Sequence, residues 1–426
     1  MIIIVGAGIT GLVLAHELAR GGREFLVLEA APAPGGVIRT LEIEGRLFEA
    51  GPQRTRLVPP VAALVRELGL EDELVTAPAG LPLYVYRAGR LRPVPFSIGA
   101  AFSTDVVSWR GKLRILLEPF TAGARPDESV ADFLTRKFGR EAYEAMLGPL
   151  YGGLYASDPA DMLMRWTLSR ALETFGIEGS VLAALARRAW AGGRRGGRGR
   201  GPGDGALACS FRSGMRALPE ALYRTHCARI RLGAAARALR RGRAGYVVET
   251  DAGDIPADAV VLTVPADAAA RLLGDIAPEA AARLARLTYN PLAVAYLDAD
   301  VDTPAMGYQV AFGERLETRG VTFNAHMFGR AGVYTAYLGG AKNPGLVELP
   351  DDRIGAIAAA EFERVTGRPA RAVHVARTRM PAWDRSWEAL DGMALPAGVH
   401  VAANWESRAG IPGRIARARE LARQLT

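Results

Sequence analysis

The sequence predicts an α/β fold, and three observations near its beginning predict this class. A short apolar run of β-branched residues, IIIV at 2–5, is typical of a strand buried on both faces of a parallel sheet. Three glycines follow at GxGxxG spacing, and apolar residues then recur with helical period over 10–19. A second apolar strand at 25–28 ends at an acidic residue. Strand, glycine turn, helix, strand and acid in this order predict a Rossmann-like lobe that binds a dinucleotide.

The glycine turn explains how such a lobe would hold a pyrophosphate. Gly6 makes the tight turn, Gly8 lets the phosphates approach the backbone, and Gly11 lets the helix pack close to the strand. Ile9 and Thr10 lie in the first helical turn, whose free N–H groups and partial positive charge face the phosphates. These five residues are therefore predicted to bind the cofactor.

The residues after the second strand distinguish FAD from a nicotinamide dinucleotide. Glu29 lies 18 residues after the last glycine, close to the ~20 expected of an acid that binds a ribose hydroxyl. Gly35 and Gly36 follow, then Arg39 and Thr40, and this arrangement resembles the second glycine motif of the flavin amine oxidase superfamily. A second glycine-rich turn with an arginine strengthens the phosphate cradle. Because the chain has no second GxGxxG strand unit, we predict a resident FAD.

Composition narrows the class of protein. The chain has 426 residues, of which 49% are hydrophobic, enough to build more than one core. Cys209 and Cys227 have no metal or redox spacing, so we predict no metal site, two buried inert thiols and noncovalent FAD. The net charge is +8, and of the 53 cationic side chains only three are lysines and 50 are arginines. This bias suits an anionic partner, either a carboxylated substrate or a membrane surface.

One stretch of low complexity needs its own interpretation. Residues 191–205 read AGGRRGGRGRGPGDG and offer nothing to a core, so a flexible loop is predicted. An RNA-binding tail of this kind usually interleaves aromatic residues and lies at a terminus. No nucleic-acid partner is therefore predicted.

The chain is predicted to return twice to its first lobe. A buried strand is expected over 260–264, and near the end a helix is expected with Pro412 in its first turn, where proline is tolerated. The segments between are mostly helical in one case and mostly strands in the other. The predicted units are FAD-binding parts at 1–78, 186–266 and 391–426, a helical lobe at 79–185 and a substrate-binding sheet lobe at 267–390.

Five stretches carry a more specific resemblance. They are LYVYRAGRLRPVP (83–95), DESVADFLTRKFGREAYEAMLGPLYGGLYASDPADML (127–163), FRSGMRALPEAL (211–222), YTAYLGGAKNPG (334–345) and AANWESRAGIPGRIARARELA (402–422). In this order and spacing they resemble the protoporphyrinogen oxidase family of haem synthesis, over nearly the whole chain. The resemblance implies an FAD lobe, a substrate lobe on a mixed sheet and a helical, membrane-facing lobe.

The resemblance also implies which further residues contact the cofactor. Gly51 and Pro52 would pass near the flavin ring, and the backbone of Ala236 would meet the adenine edge. At the end of the chain, a helix N-terminus would lie at the pyrimidine end of the flavin and stabilise negative charge on the reduced ring. The residues matched there are Asn404, Gly410, Ile411 and Pro412.

On the substrate side, the resemblance implies a tetrapyrrole pocket. Gly153 matches a glycine that lines the pocket, Tyr337 the aromatic residue that stacks on the macrocycle, and Ala311 and Thr322 apolar contacts around it. His326 is predicted to be structural.

The implied chemistry belongs largely to the cofactor. A porphyrinogen gives a hydride to the flavin, a ring nitrogen loses a proton, and oxygen reoxidises the flavin to give hydrogen peroxide. No side chain has to act as a strong acid or base, so no catalytic residue is assigned. Two alternatives stay open: a flavin amine oxidase or related desaturase, for which Lys342 would be the candidate lysine, and a non-catalytic flavoprotein partner of haem synthesis.

The sequence departs from the family pattern at two places. Leu83 stands where relatives tend to have an arginine that pairs with a substrate carboxylate, and Ala403 replaces a glycine. Because a desolvated propionate needs a cation, another arginine is expected to take that role. Arg87 shares a strand face with Leu83, whereas Arg54 and Arg56 follow the Gly-Pro pair near the flavin.

The sequence also suggests a location. No apolar run reaches the ~18 residues of a membrane span, and no charged leader with a cleavage site precedes the first strand. We therefore predict a cytoplasmic protein, with peripheral membrane contact left open.

Overall fold

The structure is a computed structural model. It describes residues 1–96, 98–125, 127–174, 176–177, 179–184, 186–187, 207–406 and 410–425. The glycine- and arginine-rich stretch 191–205 lies outside these ranges.

Strands and helices alternate along the chain as expected of an α/β protein. The strands are β1 (Ile2–Val5), β2 (Phe25–Leu28), β3 (Thr40–Ile43), β4 (Arg46–Glu49), β5 (Thr55–Arg56), β6 (Leu74–Thr76), β7 (Leu83–Arg87), β8 (Arg90–Pro93), β9 (Ala208–Phe211), β10 (Ile230–Arg231), β11 (Ala236–Arg241), β12 (Tyr246–Thr250), β13 (Gly253–Ala257), β14 (Ala259–Leu262), β15 (Tyr289–Ala299), β16 (Gly307–Val310), β17 (Thr318–Phe323), β18 (Val333–Gly339), β19 (Ala370–Pro381) and β20 (Val399–Val401). The helices are α1 (Ile9–Arg20), α2 (Pro59–Glu67), α3 (Ile98–Ser103), α4 (Trp109–Leu116), α5 (Val130–Phe138), α6 (Arg140–Ala142), α7 (Gly148–Tyr155), α8 (Leu168–Thr174), α9 (Ala217–His226), α10 (Ala266–Leu273), α11 (Pro278–Leu284), α12 (Asn324–Phe328), α13 (Asp351–Thr366) and α14 (Ile411–Leu425).

The first lobe is built on a parallel sheet with β1 at its centre. In the described part of the chain the strand order is β10-β2-β1-β14-β20, so three separate segments of the chain supply its strands. One face of the sheet packs against α1, α2, α9 and α14. The other face packs against the antiparallel sheet β11-β12-β13 and against α10 and α11. Both faces are thus covered, which explains why β1 and β2 are apolar at every position.

The second lobe is a mixed sheet in the order β19-β15-β18-β17-β16-β7-β8. Alternate residues of its strands point to opposite faces. One face packs on α13, whereas α7 of the helical segment packs over β16 and β17 on the other face. The sheet therefore has one structural face and one face that looks toward α7 and the first lobe.

The structure differs from the predicted units at two places. β7 and β8 lie in the segment expected to be mostly helical, yet they form one edge of the sheet, where β7 pairs in parallel with β16. Conversely, α10 and α11 lie in the segment assigned to the sheet lobe but contribute to the core of the first lobe. The partner of β7 is distant in sequence, so local pattern did not indicate it, whereas α10 directly follows β14 of the first sheet and packs back onto that lobe.

Across the described ranges no helix is both long enough and apolar enough to cross a bilayer.

Candidate active site

The carboxyl end of the first sheet carries the glycine turn. Gly6 has φ +107°, and its N–H donates to the carbonyl of Leu28 at 2.8 Å. A Cβ on Gly11 would lie 2.0 Å from the Gly6 carbonyl oxygen, so α1 can approach β1 this closely only with glycine there. The backbone therefore requires glycine at both positions.

The turn leaves a cradle above Gly8. A Cβ on Gly8 would meet no atom within 4 Å, and no side chain caps the start of α1. The second glycine turn closes one side, because the N–H of Gly35 donates to the Ala7 carbonyl at 2.8 Å and Gly36, at φ +60°, lies against Gly8. Ile9 and Thr10 follow as the first helical turn. The open space and the uncapped helix N-terminus fit a pyrophosphate.

Glu29 lies beside this cradle. Its carboxylate accepts hydrogen bonds from the N–H of Ala7 at 2.6 Å and of Ala31 at 2.8 Å. Its carbonyl accepts from the N–H of Ala234 at 2.8 Å, which brings the start of β11 at Ala236 alongside. The acid and the predicted adenine contact are thus neighbours.

Arg39 and Thr40 differ in their surroundings. The side chain of Arg39 is exposed, whereas Thr40 is buried and its hydroxyl donates to Glu49 at 2.7 Å. The same hydroxyl accepts from the N–H of Arg216 at 3.2 Å. Thr40 therefore links neighbouring segments of the protein. Of the two residues, only Arg39 has an exposed side chain that a cofactor could contact.

The Gly-Pro pair runs close to the second glycine motif. A Cβ on Gly51 would lie 1.8 Å from the carbonyl oxygen of Val37, so a side chain there is excluded. Val37 itself is 62% exposed, although valine is among the residue types most often buried. Pro52 follows directly. An apolar surface is thus left open where the resemblance expects a flavin ring.

The end of the chain reaches the same edge of the sheet. The N–H of Ala402 donates to the carbonyl of Leu262 at 3.1 Å, and Asn404 accepts from the Tyr289 hydroxyl at 3.4 Å. Gly410 has φ +91°, and α14 begins with Ile411 and Pro412. Residues 407–409 lie outside the described ranges.

The predicted aromatic residue lies on the face of the second sheet that looks toward α7. Tyr337 of β18 opposes Gly320 of β17, and its hydroxyl interacts with that of Thr322. Burial raises the pKa of Tyr337 to about 12, so the phenol stays neutral. Phe48 and Tyr296 are buried beside it. Tyr337 therefore lies among aromatic and apolar side chains.

Gly153 marks the helical wall opposite. A Cβ on Gly153 would lie 2.6 Å from Oε1 of Gln309, and a Cβ on Gly320 would lie 2.8 Å from Cδ of the same side chain. The two glycines thus leave a slot that Gln309 fills. Ala311 is buried nearby against Val85.

Sequence reasoning missed Gln309 and a polar network behind the Gly-Pro pair. Gln53 accepts hydrogen bonds from Asn324 at 2.7 Å and from the Thr335 hydroxyl at 3.1 Å, and donates to the Glu49 carbonyl at 2.9 Å. Polar residues inside otherwise apolar strands were the available signal for both.

Of the three arginines considered as carboxylate anchors, Arg54 has the least compensated charge. Burial lowers its pKa, and Tyr337 is a neighbour. Its Nη1 lies 3.4 Å from Sδ of Met327, and within the described residues no carboxylate lies within ion-pair distance. A half-buried guanidinium in this setting favours an anionic ligand.

Arg87 has protein partners instead. It does share a strand face with Leu83, as expected, but its guanidinium donates to the Val106 carbonyl and, at 3.3 Å, to Glu141. Arg56 is exposed. The alternation was therefore predicted correctly, while the compensating carboxylate was not foreseen.

Three other candidates have structural surroundings. His326 accepts from the N–H of Ala305 at 3.2 Å and donates to the Val301 carbonyl at 2.8 Å, so it is structural, as predicted. Lys342 is exposed, in a turn after β18. Burial raises the pKa of Cys209 to about 11.

The expectation of two buried thiols was wrong for one of them. Cys227 is exposed, because it follows α9 in a short surface turn. Among the described residues, no group of three or more His, Cys, Asp and Glu side chains is placed to hold a metal ion.

The comparisons with known proteins agree with this geometry. The model of the flavin-containing amine oxidoreductase family matches residues 9–425. A protoporphyrinogen oxidase of rice chloroplasts is 30% identical, covering 83% of this chain and 72% of the rice protein. The coproporphyrinogen III oxidase of Mycobacterium tuberculosis is 28% identical, covering 97% of this chain and 91% of that protein. A solved structure from Exiguobacterium sp. 255-15, provisionally assigned as a protoporphyrinogen oxidase, superposes with a TM-score of 0.78 at 22% identity, covering 100% and 98% of the two chains.

The family match spans almost the entire chain, including the glycine turn, the sheet lobe and the terminal helix. The chain therefore belongs to the flavin-containing amine oxidoreductase family and is an FAD-dependent oxidoreductase.

Proposed function

We propose that this enzyme oxidises a porphyrinogen, with protoporphyrinogen as the favoured substrate. One observation carries the proposal: the aromatic face around Tyr337 lies beside Arg54, a half-buried cation without a carboxylate partner in the described part of the chain. A large apolar ring with carboxylate arms fits this combination, whereas a small cationic amine does not. The relatives named protoporphyrinogen and coproporphyrinogen oxidase support it.

The FAD would bind along the carboxyl edge of the first sheet. Gly8 and the first turn of α1 would hold the pyrophosphate, Glu29 the ribose, and Arg39 would add a positive charge. Gly51 and Val37 would lie against the flavin ring. When bound, FAD supplies the acceptor for a hydride from a ring-bridging carbon, and oxygen then takes the two electrons as hydrogen peroxide.

The side chains would mainly position the substrate. Tyr337 would stack on the macrocycle, Gly153 would line the pocket beside Gln309, and Arg54 would bind a propionate. Tyr337 would not act as a base, since its pKa is near 12, and both nitrogens of His326 are already hydrogen-bonded. The proton lost from a ring nitrogen of the substrate would therefore pass to solvent.

Noncovalent attachment of FAD follows from the thiols. Cys209 is buried and protonated at neutral pH, so it is a poor nucleophile, and Cys227 is exposed in a turn after α9. Acid precipitation should release the flavin into the supernatant.

The substrate class is tested by anaerobic reduction of the bound flavin. Protoporphyrinogen and coproporphyrinogen should bleach the flavin absorbance within seconds to minutes, and benzylamine and putrescine should not. In air, porphyrin fluorescence and peroxide should rise together. Bleaching by an amine alone would replace the proposal with an amine oxidase, and bleaching by neither class would favour a non-catalytic role.

We also propose peripheral contact with a membrane. Trp109, Leu113 and Leu116 of α4 are 65%, 53% and 44% exposed, and Leu117 and Phe120 after it are 54% and 87% exposed. We call these five residues the apolar patch. A patch of this kind marks an interaction surface, and a hydrophobic porphyrin product would favour a bilayer.

A further inference from the structure

Arg319 lies at an irregularity in the second sheet. Thr318 pairs with Leu338 and Gly320 pairs with Tyr337, which are adjacent on β18, so Arg319 is the extra residue of a β-bulge. In such a bulge the extra residue and the next one oppose the same partner and lean to the same side. Arg319 therefore shares the face of Tyr337, toward α7, and not the face that packs on α13.

The charge of Arg319 is not compensated by direct contact. The side chain is half-buried, and among the described residues it has no hydrogen bond or ion pair. Asp158 and Glu317 are the carboxylates nearby, and burial outweighs them, so the pKa of Arg319 is lowered. Asp158 accepts from the N–H of Ala160 at 2.9 Å, and Glu317 accepts from Asn343 at 2.8 Å.

The other charged group facing Arg319 is also a cation. Lys342, in the turn after β18, is exposed as a whole residue, yet partial desolvation and Arg319 lower its pKa, against the opposing effect of Glu317 and Glu361. Two neighbouring cations repel each other unless an anion lies between or beside them. Because neither Asp158 nor Glu317 contacts Arg319 directly, a ligand carboxylate would supply the charge-assisted hydrogen bonds that this guanidinium lacks.

We propose that Arg319 binds a carboxylate of the tetrapyrrole substrate, at the end of β17 away from Arg54. Arg54 contacts Met327 in α12, which directly follows the far end of β17. The strand separates residue 319 from residue 323 by about 13 Å at ~3.3 Å per residue. A ring system with propionates on more than one ring can reach both cations. This inference rests on the proposed function and names a second carboxylate contact within the same site.

The test measures porphyrin binding as well as turnover. The probe is whichever of protoporphyrin IX and coproporphyrin III the wild-type holoenzyme binds more tightly, titrated by its Soret absorbance as the free acid and as the methyl ester. Arg319→Met should weaken binding of the free acid roughly ten- to a hundredfold and raise the KM of the matching porphyrinogen similarly. For the ester, variant and wild type should bind equally.

Three controls separate the outcomes. Arg319→Lys should recover part of the affinity, and FAD content and thermal unfolding of each variant report whether the fold is intact. Arg353→Met removes an exposed arginine of α13 and should leave binding unchanged. Equal free-acid affinity in Arg319→Met and wild type overturns the carboxylate contact while leaving the proposed function intact. A wild type that neither binds porphyrins nor oxidises porphyrinogens overturns the proposed function itself.

Discussion

At the residue scale, two glycines of one motif meet opposite requirements. A side chain at Gly11 would collide with the backbone of Gly6, whereas a side chain at Gly8 would enter open space. We expect Gly11→Ala to destabilise the fold by ~1–3 kcal/mol or more, because backbone must move. Gly8→Ala should change the stability of the FAD-free protein by no more than about 1 kcal/mol, since φ is already −69° there.

A substitution at Gly8 should affect FAD affinity strongly, although it should affect stability little. The added methyl group would fill the space assigned to the pyrophosphate, so Gly8→Ala should weaken FAD binding by roughly tenfold or more. Urea unfolding of FAD-stripped protein and flavin titration measure the two quantities separately. Gly274→Ala, with ordinary contacts and negative φ, is the matched control. Normal FAD affinity in Gly8→Ala would remove the pyrophosphate from this cradle.

The arginines near the substrate face give a second contrast. Arg54→Met should raise the KM of a porphyrinogen roughly ten- to a hundredfold, because a charge-assisted hydrogen bond to a propionate is lost. Arg87→Met should leave the KM near that of wild type and instead lower stability by ~1–3 kcal/mol, through the lost contacts with Val106 and Glu141. Kinetics with free and esterified substrate, beside urea unfolding, check both. A raised KM in Arg87→Met alone would exchange their roles.

These two arginines also show what sequence could predict. Strand alternation is local, so the shared face of Leu83 and Arg87 was predictable. The charge of Arg87 is compensated by Glu141, which lies 54 residues away in the helical segment. A local sequence pattern carries no information about a contact over that separation. The sequence likewise could not show that Arg54 has no carboxylate partner among the described residues, although its position after Gly51 and Pro52 made it a candidate carboxylate anchor.

At the element scale, a strand or helix was predicted well when the residues it packs against are near in sequence, and less well when they are distant. β1 and β2 were predicted with the bounds that the structure gives, because strands covered on both faces are apolar throughout. β7 and β8 were missed as sheet members, since β7 joins the sheet through β16, which starts more than 200 residues later. Pairings of that range are set by tertiary packing.

The apolar patch on and after α4 leads to a prediction about membrane binding. The apolar patch should insert into the interfacial region of a bilayer, with each buried side chain contributing up to ~1.5–3 kcal/mol. Leu117→Ser combined with Phe120→Ser should therefore lower vesicle binding by tenfold or more, with little effect on folding because both side chains are exposed. Flotation with vesicles of mixed neutral and anionic phospholipid measures the bound fraction.

The control for the patch lies in the second lobe. Leu349 is 38% exposed outside the patch, and Leu349→Ser should bind vesicles as wild type does. Equal binding by the double variant and wild type would show that the patch does not contact lipid.

At the scale of the whole molecule, the two sheet lobes are joined by a buried ion pair. Arg330, in the loop before β18, donates to Glu49 of β4 at 2.7 Å, and the carboxylate is fully buried. The same guanidinium donates to the Ser210 hydroxyl and the Phe211 carbonyl, at 3.0 and 3.2 Å. Glu49 also accepts from the N–H of Met215 at 3.0 Å. The pair thus holds segments of the first lobe against the sheet that carries Tyr337.

Removing one partner of this pair should cost far more than removing both. Arg330→Met leaves a buried carboxylate without its cation and should destabilise the protein by ~3–5 kcal/mol, whereas adding Glu49→Gln should restore part of that loss. The exposed pair of Arg371 and Glu44 joins the same two lobes at 2.6 Å, so Arg371→Met is a matched control that should lower the stability far less than Arg330→Met does. Urea unfolding followed by flavin and tryptophan fluorescence measures each change. If Arg330→Met and Arg371→Met destabilise the protein equally, the buried pair does not hold the two lobes together more firmly than the exposed pair does.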